Sequence, residues 1–152
     1  MPVSTRAPET TLAWDATYAS RYCFQGLDYS EGRPVFQPQM SAQFRRITFG
    51  IWGNADAARG ELDELDLTLQ GEWALDRLSG ALGYAYLRYP RREWEPTHEL
   101  LADLAVEAPL KPSLSVHWDV AAGGGRYWTL GLNQEAPCGR AALALGARLF
   151  LH

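Results

Sequence analysis

Cysteine, lysine and long apolar runs are scarce in this sequence. Two cysteines in 152 residues exclude a disulfide-rich secreted scaffold. No apolar stretch approaches the roughly 20 residues that a membrane-spanning helix needs, so a helical membrane protein is excluded as well. Lys111 is the single lysine beside thirteen arginines, and a net charge of -4 argues against a surface that binds nucleic acid.

A signal peptide and the common catalytic motifs are also missing. Residues 1–6 lead into polar sequence without the apolar core of a signal peptide. No G-x-S-x-G, H-E-x-x-H or C-x-x-C motif occurs. We therefore predict that the chain is not an enzyme and holds neither a cofactor nor a metal ion. Cys23 and Cys138 could pair in an oxidising compartment or stay unpaired, and the sequence leaves both alternatives open.

Aromatic residues, by contrast, are abundant. Six Trp, seven Tyr and five Phe make up 12% of the chain, although its mean hydropathy is only -0.25. This aromatic content excludes a disordered chain, and the length suits one domain. We expect a flexible N-terminal segment at residues 1–10 and a single domain over residues 11–152.

The dominant hydrophobic period is two, which is typical of β-strands. In residues 62–73, for example, Leu65 and Leu67 alternate with Glu64 and Asp66. About nine segments alternate in this way and are separated by sequences typical of turns. A helix is the alternative at residues 97–108, because Leu, Ala and Glu favour helices. The pattern predicts an all-β fold, an antiparallel up-and-down meander of about 8–12 strands.

Two classes of protein produce such alternation. A transmembrane β-barrel turns its apolar side chains to lipid and its polar side chains to the lumen. A soluble all-β module of the lipocalin or sandwich type buries its apolar face and binds a ligand there. Aromatic residues fall mostly near the predicted strand ends on the apolar face, as in the girdles of outer-membrane barrels. We therefore predict that the meander closes into a transmembrane β-barrel, and the soluble ligand-binding module remains the alternative.

The barrel interpretation assigns the strand residues to two faces. Predicted to face the lumen are Asp15, Arg21, Gln37, Gln39, Gln43, Arg45, Glu64, Asp66, Gln70, Glu72, His117, Asp119 and Arg148. Predicted to face lipid or to form the aromatic girdle are Trp14, Tyr18, Phe36, Phe44, Leu65, Leu67, Leu69, Trp73, Trp118 and Trp128. The amides of the first set suit an aqueous lumen or an interior plugged by polar networks.

Two groups of ionisable residues could carry chemistry on the polar face. Glu64 and Asp66, within the acidic run at residues 61–66, share one face of a strand. They could attract cations such as Ca²⁺, or they could be neutralised by solvent and by arginines. His117 and Asp119 also share a face, where they could act as a base or metal ligand or have only a structural role.

Four short motifs occur in a fixed order along the chain. They are S-R-Y-C-F-Q-G-L at 20–27, G-R-P-V-F-Q-P at 32–38, F-G-I-W-G-N at 49–54 and E-L-D-E-L-D-L-T at 61–68. Together with later Gly and aromatic positions, they resemble the TorF-like porin family of bacterial outer-membrane barrels over roughly residues 11–132. Gln25 stands where the family has an arginine, and the pattern of the family continues through further strands.

The resemblance implies a membrane barrel with a polar lumen. From it we expect an outer-membrane porin for passive passage of small polar solutes or ions. The expected partners are the lipid bilayer and those solutes, with no nucleic acid, and the expected location is the bacterial outer membrane. A barrel of this size lies between one filled by side chains and one with an open channel.

Overall fold

The computed structural model describes residues 10–24, 26–121, 123–138 and 141–151, and most of them lie in β-strands. The strands are β1 (Thr10–Ala19), β2 (Cys23–Phe24), β3 (Leu27–Asp28), β4 (Val35–Phe44), β5 (Ile47–Asp56), β6 (Glu61–Leu75), β7 (Leu78–Arg88), β8 (Thr97–Val106), β9 (Ser113–Asp119), β10 (Arg126–Cys138) and β11 (Ala141–Leu151). Residues 1–9 of the predicted flexible segment and the Cys138 side chain lie outside the described part of the chain.

Nine strands form one sheet in the order β1-β4-β5-β6-β7-β8-β9-β10-β11, while β2 and β3 form a separate hairpin. Every pair in the sheet is antiparallel, and all pairs except β1–β4, between which the β2–β3 hairpin lies, join strands that are consecutive in the chain. The predicted all-β antiparallel meander is confirmed. The segment with helical composition forms β8, because pairing with strands on both sides outweighs its helix propensity. No helix within the described ranges is long and apolar enough to cross a membrane.

The two ends of the sheet differ in their connections. Tight turns at Arg45–Arg46 and Asp76–Arg77 lie at one end, called the tight-turn end, together with residues 107–112. Arg45 and Asp76 have φ of 57° and 52°, the left-handed conformation that two-residue hairpin turns require. The opposite end, called the long-loop end, carries residues 20–34, 57–60, 89–96 and 120–125.

The sheet exposes its apolar face, whereas its polar face is buried in a part near the long-loop end. On β5, Ile47, Phe49 and Ile51 are 55%, 43% and 38% exposed. Asn54 and Glu64 are paired across β5 and β6 on the polar face, and they are only 1% and 8% exposed. A soluble sheet protein buries the apolar side instead, because burial of apolar surface drives its folding. The arrangement of faces is therefore inverted relative to a soluble sandwich.

Residues 20–34, called the cover loop, fold over the polar face and contact strands far apart in the sheet. The Tyr22 ring lies 5.6 Å from the Trp52 ring of β5, and the Phe24 ring lies 5.9 Å from the Tyr127 ring of β10. In a flat sheet β5 and β10 would lie roughly 24 Å apart, at about 4.8 Å per strand. The Cα atoms of Tyr22 and Phe24 are separated by at most about 7 Å. The sheet therefore curves around the cover loop, with its polar face inside.

The outer strands of the sheet are β1 and β11. Both begin at the tight-turn end, so they run in the same direction. Side chains on both faces of β1 are exposed almost throughout. Within the described residues no ladder joins β1 to β11, and closure of the meander into a barrel stays a prediction.

Candidate functional site

The cover loop is held in shape by hydrogen bonds around Ser30, which is 2% exposed. The Ser30 hydroxyl accepts from the Tyr22 backbone N–H at 2.9 Å and donates to Asp28 Oδ1 at 2.8 Å. The Asp28 carboxylate also accepts from the backbone N–H groups of Ser30 and Gly32. These donors, the Ser30 hydroxyl first, lower the pKa of Asp28 below its ordinary value.

Two arginines attach the cover loop to the sheet and to a neighbouring loop. Arg33 Nε lies 3.0 Å from Oδ2 of Asp56, a residue at the end of β5 that is 2% exposed. Arg92, from the loop at residues 89–96, donates from Nη2 to the Tyr29 carbonyl oxygen at 2.8 Å. The same guanidinium lies 4.3 Å from the centre of the Trp94 ring. These contacts therefore hold the cover loop at Tyr29, near its middle, and at Arg33, near its end.

A cavity of about 420 Å³ lies between the cover loop and the polar face of the sheet. Its aromatic lining residues are Tyr22, Phe24, Tyr29, Tyr89 and Tyr127. Its carboxylate lining residues are Glu64, Asp66 and Glu99. The cover loop supplies three of the rings, and strands or their ends supply the remaining groups.

The three carboxylates of the cavity have different surroundings. Tyr22 and Tyr89 donate hydrogen bonds to the Glu64 carboxylate. Burial, followed by the charge of Glu64, raises the pKa of both tyrosines, so their hydroxyls remain protonated donors. Glu99 Oε2 lies 3.0 Å from His117 Nδ1. Asp66 Oδ1 is buried and has no hydrogen-bond partner among the described residues.

Aromatic contacts continue from the cover loop to the sheet. The His117 and Tyr127 rings stack with centroids 4.4 Å apart and planes at 19°. Phe24 contacts the Tyr127 ring edge-on from the other side of the cavity. Each such pair adds about 0.5–1.5 kcal/mol beyond the burial of its area. Phe24, Tyr127 and His117 therefore form an ordered aromatic surface on the side of the cavity next to the Glu99 carboxylate.

Most residues predicted to face the lumen lie on the polar face of the sheet. By the strand register these are Asp15, Gln37, Gln39, Gln43, Glu64, Asp66, Gln70, Glu72, His117, Asp119 and Arg148. The cavity brings together only Glu64, Asp66 and His117 from this set. Arg21 lies in the cover loop, and Arg45 lies in a tight turn with its guanidinium 5.4 Å from the centre of the Phe44 ring.

Other polar side chains of the same face bind one another across strands. Gln37 Nε2 donates to Asn54 Oδ1 at 3.0 Å. Gln43 Nε2 donates to Glu72 Oε2 at 3.2 Å, and Thr48 donates to the other oxygen of that carboxylate at 3.5 Å. The Gln37 bond offsets part of the cost of burying Asn54, whereas the bonds to Glu72 lie at an exposed position.

The residues predicted to face lipid share the opposite face. Those that are exposed are Trp14, Tyr18, Phe36, Phe44, Leu69, Trp73, Trp118 and Trp128. Leu65 and Leu67 lie on the same face and are half-buried between neighbouring strands. On this face Tyr84 and His98 form a hydrogen bond between the Tyr84 hydroxyl and His98 Nδ1.

Ionisable residues of the acidic run and His117 pair with residues of other segments. Glu61 and Asp63 pair with Arg91 of the loop at residues 89–96, at 2.8 Å and 3.1 Å. His117 pairs with Glu99 instead of Asp119, whose carboxylate accepts backbone N–H bonds from residues 121 and 123. Within the described residues, no group of three His, Cys, Asp or Glu side chains could hold a metal ion.

The sequence interpretation missed the aromatic half of the cavity. Tyr22 and Tyr29 come from a loop, where alternation of polar and apolar residues gives no information about facing. A usable signal exists in the strands themselves. Trp52, Leu87 and Leu101 are large apolar residues at polar-face positions near the long-loop end. Three such residues on nearby strands indicate that another part of the chain covers them.

Comparisons with family models, with curated proteins and with solved structures give no match. The resemblance to TorF-like porins therefore remains a prediction carried by short motifs.

Proposed function

We propose that the chain is an outer-membrane β-barrel of the porin type, through which small polar solutes or ions pass passively. The observation that carries this proposal is the inverted sheet, with its apolar face exposed and its polar face on the inner side of the curve. Lipid is the surrounding that makes such an exposed face favourable. In this proposal the apolar face contacts the lipid bilayer, and the protein is located in the bacterial outer membrane.

Strand length and aromatic placement support the proposal. β1, β4, β5 and β8 contain 10 residues each, and a tilted membrane-spanning strand needs about 9–11. Tyr18, Phe36, Phe44, Trp118 and Trp128 lie within the first or last few residues of their strands, on the exposed face. Aromatic side chains at these positions suit the two boundaries between lipid and water.

The proposal includes closure of the meander into a barrel. Because β1 and β11 run in the same direction, direct closure between them forms one parallel pair in an otherwise antiparallel barrel. Most bacterial single-chain barrels have even strand numbers, although barrels with an odd number exist. The cover loop occupies the inner side at the long-loop end, so the proposed passage is narrow.

The test is reconstitution of the full chain into planar lipid bilayers. We expect discrete and uniform conductance steps, because a fixed polar lumen gives one pore size. Insertion into bilayers without conductance would support the membrane barrel but contradict the porin function. A chain that stays monodisperse in plain buffer after detergent removal would contradict the membrane proposal and favour the soluble ligand-binding module.

A further inference from the structure

The cavity under the cover loop has an unbalanced set of charges. Three carboxylates line it, whereas none of the described lining residues is lysine or arginine. His117 pairs with Glu99, and Arg92 interacts with Glu64 without lining the cavity. Carboxylates sheltered from water need positive partners or hydrogen-bond donors, because their desolvation is costly. The side chains in place meet this need only in part.

Asp66 marks the point where a partner is missing. Its Oδ1 atom is buried and has no hydrogen-bond partner among the described residues. The side chain projects from the middle of β6 toward the cavity, between Glu64 and Thr68 on the same face. A buried acceptor without a donor is rare in folded proteins, and a cation bound beside it is one way to offset the cost of its desolvation.

The rest of the cavity wall is aromatic. Five rings of Phe and Tyr line the same space. Stacking against His117 holds the Tyr127 ring in a fixed orientation. The face of an aromatic ring attracts cations, and several such faces around one space form the cages that recognise quaternary ammonium groups. The volume of about 420 Å³ falls within the usual range for small-ligand sites.

The arrangement of donors argues against a metal ion as the missing partner. Within the described part of the chain, no three acidic, His or Cys side chains are close enough together to coordinate one. An organic cation is larger, so it can contact carboxylates and rings that are spread around the cavity. Its apolar groups also suit the aromatic wall, which a hydrated metal ion does not.

We propose that the cavity under the cover loop is a binding site for small organic cations of the alkylammonium class. This inference rests on the proposed function, because the cation reaches the cavity through the proposed lumen. The cationic head lies between Asp66 and the aromatic wall, and the cover loop encloses it from the long-loop end. The site thereby selects among the polar solutes that enter the barrel.

The first test compares two ligands of matched shape by calorimetry on the full chain in detergent micelles. Choline is the cation, and 3,3-dimethyl-1-butanol is its neutral counterpart. The titration is run at about pH 9, well above the ordinary pKa of a carboxyl group. We expect choline to bind at least about tenfold more tightly, since it alone gains Coulombic attraction to the carboxylates and cation–π contacts. Equal binding of the two, or binding of neither, would overturn the proposal.

The second test uses variants with a matched control on the same strand. Asp66→Asn is expected to weaken choline binding about 10- to 100-fold, the usual effect of losing a contact to a charged group. Phe24→Leu keeps the apolar bulk but removes a ring, and an effect of about 2- to 30-fold is expected. Glu72→Gln removes a carboxylate from the same face of β6 outside the cavity, and we expect no change.

Folding and function are checked on the same preparations. The circular dichroism of each variant shows whether its β-structure is intact, and the ligand comparison needs no variant at all. Equal losses in Asp66→Asn and Glu72→Gln would contradict a local site. Choline binding in micelles without conductance in bilayers would refute the porin and keep the site. Conductance without selective choline binding would refute the site and keep the porin.

Discussion

Ser30 links the two sides of the cover loop through one hydroxyl group. It accepts from Tyr22 and donates to Asp28, and it is almost fully buried. Removing this hydroxyl leaves the part-buried Tyr22 N–H without its acceptor, which costs more than the net contribution of one bond. The fold of this loop therefore depends on a short polar side chain that no hydrophobic pattern would indicate.

We predict that Ser30→Ala lowers the local stability of the cover loop by about 1–3 kcal/mol. The measurement is amide hydrogen exchange over residues 20–34. Ser20→Ala, which removes an exposed hydroxyl from the same loop, serves as the matched control and should change little. Equal exchange rates in the two variants would show that the Ser30 bonds do not hold the loop.

Asp28 makes the same loop sensitive to acid. Its pKa is lowered in the folded protein, chiefly by the Ser30 hydroxyl. The bonds therefore stabilise the loop above the ordinary pKa of an aspartate, and this contribution is lost as pH falls through the lowered value. We expect proteolysis within residues 20–34 to increase in that acidic range. Asp28→Asn should abolish the pH dependence, and an unchanged profile in this variant would contradict the role of Asp28.

At the scale of single elements, β6 displays both faces of the sheet most clearly. Leu69 is 51% exposed on the apolar face, and Gln70 is the next residue, on the polar face. We predict that Leu69→Arg costs about 2–4 kcal/mol in folding into lipid vesicles, since it places a charge in lipid. Gln70→Arg adds the same side chain to the polar face and should cost much less. Urea titration in vesicles measures both, and equal costs would contradict the assignment of faces.

The strands could be predicted from the sequence and the loop could not. Strict alternation identifies β6 and the polar positions Glu64 and Asp66, because side chains of a strand point alternately to two faces. Residues 97–108 have the composition of a helix, but most of them form strand β8 because they pair with β7 and β9. The position of Tyr22 depends on tertiary contacts such as that with Trp52, which have no local signature. The aromatic residues that the cover loop contributes to the candidate site therefore could not be predicted from the sequence.

At the scale of the whole molecule, the cover loop occupies part of the inner side of the curved sheet. It lies across the polar face at the long-loop end and is fastened by Arg33 and Arg92. We predict that replacing residues 23–32 by a short Gly-Ser linker increases the conductance in bilayers. Shortening the loop at residues 107–112, at the other end, is the control and should leave conductance nearly unchanged. A conductance unaffected by the first change would contradict the location of the constriction.

The proposed arrangement places the exposed apolar face in lipid and the sheltered polar face in water. Labelling of neighbouring cysteines on β6 tests it most directly, in vesicles and in a chain carrying Cys23→Ser and Cys138→Ser. Thr68→Cys replaces a residue that lines the cavity, and Leu69→Cys replaces its exposed neighbour. We expect a water-soluble thiol reagent to label position 68 and a lipophilic reagent to label position 69. The reverse pattern, or equal labelling of both positions by the water-soluble reagent, would contradict it.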